Sequence, residues 1–261
     1  MPVIGIPEGV KEAGKRVDFK EADFELLIET KGYLLLWQRA SKCACAPVVE
    51  QTEQPDPNCT LCNGKGWFYF GPSGEQDLSG YQLTDLQSKM LEDQGGSIIR
   101  GVVTAIGSNP DPLDRISNWV HGSAYLTVRH ENRLGYYDRL TLLDSEIVFS
   151  ERIRCDGTDT LQTRYPVVTA NLIRSKDTVF VQNTHYQVDT GVVKWTAGNE
   201  PSSDVWVAIH YYCHPAYLVI VHPHASRLTL TKFKTPTPRT PTGDPKQLPV
   251  QALMRYDFLE E

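Results

Sequence analysis

At 261 residues, 40% hydrophobic and 22% charged, the chain can bury roughly 70–75% of the surface its unfolded form exposes, so it needs no staple for general stability. A net charge of −6 excludes broad nucleic-acid binding by the whole surface, because phosphate neutralisation requires clustered Lys and Arg. No apolar run approaches the ~18 residues that cross a bilayer, so no membrane partner is expected.

Residues 1–17 are polar and aperiodic and read as an N-terminal arm. They lack the charged and then apolar pattern of a secretory leader, which points to folding in a reducing cytosol. Asp18 or Asp23 can cap a helix beginning near residue 20. In "DFELLIETKGYLLLWQRA", Phe24, Leu27, Ile28, Leu34, Leu35 and Ala40 recur at spacings near three and four. That predicts an amphipathic helix with Gly32 as a weak point or break.

The next stretch, "CACAPVVEQTEQPDPNCTLCNGKGW", carries four of the six cysteines: Cys43-x-Cys45, thirteen residues, then Cys59-x-x-Cys62. Two close pairs separated by about a dozen residues suit a tetrahedral four-thiolate zinc site, each pair supplying two ligands from a tight turn. Gly64 and Gly66 offer the positive-φ positions at which the chain reverses around a metal. Disulfides fit a reducing compartment poorly. A redox C-x-x-C normally follows a strand and opens a helix, whereas here a helix precedes and glycines follow. With every coordination position filled by protein, such zinc is structural and not catalytic. Cys155 and Cys213 stand apart and read as small buried side chains.

A second, shorter helix is expected over residues 81–93. Strand-like runs then follow at 97–106, 122–130, 138–144 and 146–154, and continue to residue 222. They predict a mainly β chain: an antiparallel β-barrel or sandwich core with one or two N-terminal helices, a small zinc knuckle and an extended Pro-rich C-terminal arm. The corresponding divisions are 1–17 (arm), 18–96 (helical region with the knuckle at 43–67), 97–232 (β-rich core) and 233–261 (extended arm).

His210, Cys213, His214, His222 and His224 cluster late in the chain and make a second metal site conceivable. However, 210–226 offers no carboxylate as a base. No G-x-S-x-G, P-loop, dinucleotide-binding or H-E-x-x-H motif occurs, so no catalytic residues and no enzyme activity are expected. The Asp- and Pro-rich 108–114 reads as a turn.

Several stretches taken in order resemble the virion neck proteins of tailed bacteriophages. They are "GYLLLWQRASKCAC" with "CTLCNGKGW", then "ENRLGYYDRLTLLDSEIVFSERI" (131–153), then "RYPVVTANLIR" and "YQVDTGVVKWTAGNEPSSDVWVAIHYYCHPAYLV". The resemblance spans residues 33–224. It implies a non-enzymatic head-to-tail connector component, a collar or stopper-like ring between portal and tail that assembles in the host cytoplasm. Its implied partners are copies of itself in a six- or twelve-fold ring, portal or adaptor proteins and tail proteins. Genome DNA would pass nearby without sequence-specific binding, with the loops at 107–121 and 155–164 as candidate channel elements. Two alternatives are a tail or baseplate adaptor and a zinc-dependent cytosolic enzyme using the His-rich strand.

Overall fold

The computed structural model of the protein describes residues 21–45, 58–62, 66–71, 76–105, 122–224, 228–230, 245–247 and 249–259. The expected arm at 1–17, the loop at 107–121, Gly64 and most of the Pro-rich stretch lie outside the described residues.

Helix α1 (Glu21–Lys31) ends where Gly32 donates its N–H to the Ile28 carbonyl at 2.9 Å. A Cβ at Gly32 would stand 2.2 Å from that oxygen, so the turn requires glycine. Beyond it the chain is not helical, contrary to the expectation for 33–40. Strand β1 (Tyr33–Lys42) buries five consecutive residues, from Leu34 to Gln38. Leu35 and Trp37 face the barrel interior, while Leu34 and Leu36 pack with Met90, Ile98 and Leu143 in a second layer outside it. A strand covered on both faces loses its polar alternation, which is why this run mimics helical spacing.

Strand β2 (Trp67–Phe70) pairs with the far half of β1. Helix α2 (Asp85–Gln94) begins with Thr84 and Gln87 in a reciprocal capping box. Gln87 also reaches the Leu143 carbonyl at 2.9 Å, tying the helix to the barrel wall. Strands β3 (Ser97–Ala105), β4 (Ser123–Val128), β5 (Arg139–Leu142) and β6 (Ile147–Arg154) fall within the expected runs. They are followed by β7 (Thr160–Leu161), β8 (Thr169–Arg174), β9 (Val179–Phe180), β10 (Tyr186–Asp189), β11 (Val192–Trp195), β12 (Trp206–Cys213) and β13 (Ala216–His224). A short pair, β14 (Leu228–Leu230) with β15 (Pro245–Gln247), precedes β16 (Val250–Tyr256).

The fold is mainly β, as expected. Six antiparallel strands run β1-β3-β4-β16-β13-β5 and close because β5 pairs back onto β1, Leu35 opposite Leu142. Closure removes free edges from this core. The expected division of the chain needs correction. Residues 250–256, assigned to an extended arm, form a barrel strand between β4 and β13, with Ala252 and Met254 fully buried. Likewise β1, placed in the helical region, is a barrel stave.

Strands β6 to β12 form a second β unit. Sheet β6-β12-β8-β9 and sheet β10-β11-β7 enclose Tyr165, Ile173, Tyr186, Trp195, Ile209 and Tyr211. The chain end joins the two cores. Tyr256 stacks on Tyr217 of the barrel, with ring centres 4.5 Å apart, and Phe258 meets Phe149 of the second unit at 5.4 Å. Between them Asp257 receives the Tyr165 hydroxyl and pairs with Arg139 at 3.0 Å. No helix among the described residues is long and apolar enough to cross a membrane.

Candidate metal centre

Pairing of β1 with β2 sets Arg39 opposite Phe70 and Lys42 opposite Trp67. The ladder runs one step further, the Cys43 N–H donating to the Gly66 carbonyl at 2.8 Å. Cys43 and Cys45 therefore leave β1 directly across from Cys59 and Cys62, which enter β2. All four Sγ atoms lie within 4.8 Å of one another. Cys45 and Cys62 are 3.4 Å apart and Cys43 and Cys59 3.8 Å apart. A tetrahedron of thiolates about 2.3 Å from a central ion has edges of about 3.8 Å, so the spacing fits.

The local backbone supports this donor set. Gly66 has φ of 74°, which an L side chain rarely adopts, and its N–H donates to Cys62 Sγ at 3.3 Å. Burial opposes ionisation of Cys62. Hydrogen bonds from Cys45, Gly66, Cys59 and Cys43 outweigh it and bring the thiol from 9.0 down to about 7. Four converging thiols, one already poised to ionise, suit a cation that neutralises them. All six cysteines are free thiols, so neither close pair is a disulfide. The four cysteines could bind a metal ion, and with all four engaged no position stays open for substrate.

Behind the cysteines lies an aromatic and carboxylate support. Trp67 stacks on Tyr137 with ring centres 4.8 Å apart and planes 5° from parallel, and Tyr136 meets Tyr137 edge-on. Tyr137 holds a positive φ of 66°, and its N–H donates to the Val219 carbonyl at 2.8 Å. The buried Asp138 accepts from Trp37 Nε1 at 2.8 Å, from the Ala40 N–H at 3.0 Å and from the Gly135 N–H at 2.6 Å. The end of β1 that leads into the cysteines is thereby fixed to the 135–138 turn. Sequence reading missed this support. A glycine three residues before an aspartate, as in "GYYD", is its one local trace.

Among the described residues, the late histidines and Cys213 do not converge on a shared site, and the side chain of His224 lies outside the described residues. His210 lies on an outer sheet face with Nδ1 3.4 Å from the Asn171 amide, and His214 is buried with Nδ1 2.9 Å from the Ser145 carbonyl. Among the described residues, the four cysteines are the one group of His, Cys, Asp or Glu whose donor atoms converge. Cys155 and Cys213 are buried, as expected. Burial, reinforced by Asp257 and Glu151, pushes Cys213 up to about 12. Of the candidate channel loops, 155–164 contains a local turn in which the Thr158 N–H donates to Asp156 Oδ1 at 3.0 Å.

No protein-family model matches the chain, and no curated protein matches it.

Proposed function

We propose that the chain is a structural virion protein of a tailed bacteriophage, one subunit of the head-to-tail connector ring that joins portal to tail around the DNA channel. We further assign structural zinc to Cys43, Cys45, Cys59 and Cys62. The observation that carries the reading is mechanical. A closed barrel, a second β unit latched to it by Asp257 and Phe258, and a hairpin tip gathered by four thiols make a stiff body from one chain. Stiff bodies of this kind transmit load between neighbours and repeat around an axis. The ordered resemblance to neck proteins supplies the setting, and the net charge of −6 suits a wall past which DNA moves without adhering.

Zinc is favoured over other ions because four thiolates in tetrahedral spacing suit a borderline-soft d¹⁰ ion that tolerates a reducing cytosol without redox chemistry. The test is cryo-electron microscopy of virions whose particles contain the chain by mass spectrometry. Ring density between portal and tail that accepts this barrel supports the reading. Density in the baseplate, or absence of the chain from particles, overturns it.

A further inference from the structure

Strand β6 is an open edge of the β6-β12-β8-β9 sheet, and at eight residues it is the longest described strand with a single neighbour. Its ladder with β12 runs in unbroken register from Ile147 opposite Cys213 to Arg154 opposite Trp206. The ladder continues one step further, where the Cys155 N–H donates to the Val205 carbonyl at 2.9 Å. Residues two apart in a strand share an edge, so Ile147, Phe149, Glu151 and Ile153 bond to β12. Val148, Ser150, Arg152 and Arg154 then turn their N–H and C=O groups outward, and among the described residues these groups have no partner. The Val168 N–H, which donates to the Tyr212 carbonyl on the far side of β12, agrees with this phase. The edge carries no proline, lysine or bulge, the devices that commonly keep an exposed strand from pairing.

The residues along this edge are complementary to themselves. The run "EIVFSERIR", residues 146–154, is centred on Ser150. Laid antiparallel against a second copy about Ser150, it sets Glu146 opposite Arg154 and Ile147 opposite Ile153 at each end. Val148 then meets Arg152, and Phe149 meets Glu151, whose carboxylate is already held by the Tyr211 hydroxyl and the Arg164 N–H at 2.7 and 2.9 Å. Ile147, Phe149 and Ile153 face the second core but are only partly buried, so an added strand covers them. Sliding by two residues in one direction would set Glu151 against Glu151. Sliding the other way would shorten the ladder and set Ile147 against Glu151. A slip of one residue would turn every apolar side chain to the wrong face.

We propose that two copies of this chain pair β6 to β6, antiparallel across a two-fold axis through Ser150, so that their sheets run on as one. The contact carries about six backbone hydrogen bonds, with an ion pair and an isoleucine contact at each end. Arg154 also meets Asp204 at 2.7 Å, and a guanidinium has donors for both carboxylates. An unrelated extended peptide would satisfy the backbone equally well but not the matched ends, which favours a second copy. The contact is isologous and closes at two, so it is distinct from the heterologous contact that builds a ring. It goes beyond the connector reading and does not depend on it.

The experiment uses the full chain with Glu146→Arg, with Arg154→Glu and with both changes, followed by sedimentation velocity and native mass spectrometry. The wild type is expected to be a dimer in equilibrium with monomer. Each single variant sets like charges opposite one another at both ends, and should dimerise about ten-fold more weakly while keeping the wild-type circular dichroism. Glu146→Arg leaves the Arg154–Asp204 pair in place, so its loss of dimer is not a local effect. The double variant exchanges the charges and should dimerise as the wild type does. The two single variants mixed in equal amounts should do so as well, because unlike charges again face each other at both ends. In Ser150→Cys, oxidised glutathione should link two copies, with the joined peptide mapping to position 150 in each. A wild type that stays monomeric up to its solubility limit, or single variants that dimerise like the wild type, overturns the contact. So does a double variant or mixture that stays weak, or a link that maps away from position 150. Any of these failures leaves the connector reading standing. Dimers of the expected pattern from a chain missing from virions would do the reverse.

Discussion

Trp37 and Asp138 lie 101 residues apart in the chain, yet the indole Nε1 donates to the buried carboxylate at 2.8 Å. The same carboxylate accepts the Ala40 and Gly135 N–H groups, so one side chain holds the barrel strand, the 135–138 turn and the approach to the cysteines. Asp138→Ala strands three donors away from water. Denaturant unfolding should show a loss of about 3 kcal/mol, with Asp138→Asn costing less because its amide keeps one acceptor. Equal stability of the Ala variant and the wild type would show that water replaces the carboxylate.

Purified protein should carry about one zinc per chain by elemental analysis, and Cys59→Ser/Cys62→Ser should carry none. The loss should lower the unfolding temperature and open the β1–β2 hairpin to hydrogen exchange ahead of the barrel, because the cysteines gather a segment poor in apolar contacts. Retention of metal by the double variant would place the ion elsewhere.

Acidification should weaken this clasp in a defined window. The folded protein lowers the Cys62 thiol from 9.0 to about 7, so its thiolate stabilises the metal-free fold fully above 9, progressively less below that, and not at all well under 7. Protons compete with metal at the same sulfur, so metal release into a chromophoric chelator should accelerate as pH falls through about 7. A release rate flat from pH 9 to 6 would contradict the assignment.

Phe258→Ala and Asp257→Asn should loosen the two β units from each other more than they unfold either one. Phe258 bridges Tyr256 and Phe149, and Asp257 joins Arg139 to Tyr165. Limited proteolysis should gain cleavage near residues 143–147, the first direct link between barrel and second unit. Truncating the Phe258 ring should cost about 3 kcal/mol. An unchanged cleavage pattern would assign the latch a merely local role.

Much of this molecule is legible in the order of its residues. The Cys43-x-Cys45 and Cys59-x-x-Cys62 spacing marks the cysteine cluster that could hold a metal, because a hairpin needs only local pairing to bring the two halves together. The strand runs from 97 to 154 declare themselves through Val, Ile and Thr between turn residues. What sequence alone conceals is long-range. Leu34 to Gln38 look helical because that strand is buried on two sides, one face in the barrel and the other against Met90. Residues 250–256 follow a proline-punctuated stretch and read as its continuation, although Val250, Ala252 and Met254 alternate inward. Asp138 carries no local sign that two of its three partners, Trp37 and Ala40, lie about a hundred residues upstream.

The position of β16 between β4 and β13 has a consequence for biosynthesis. Val250 meets Val128 and Tyr256 meets Tyr217, so the barrel is missing one stave until residue 256 has been synthesised. During translation the cysteine hairpin and the second β unit can form early from nearby residues. The emerging barrel, by contrast, exposes two unpaired edges and an open interior. Newly made chains therefore pass through a stage vulnerable to cross-pairing with one another, which ends only when β16 slots into the gap.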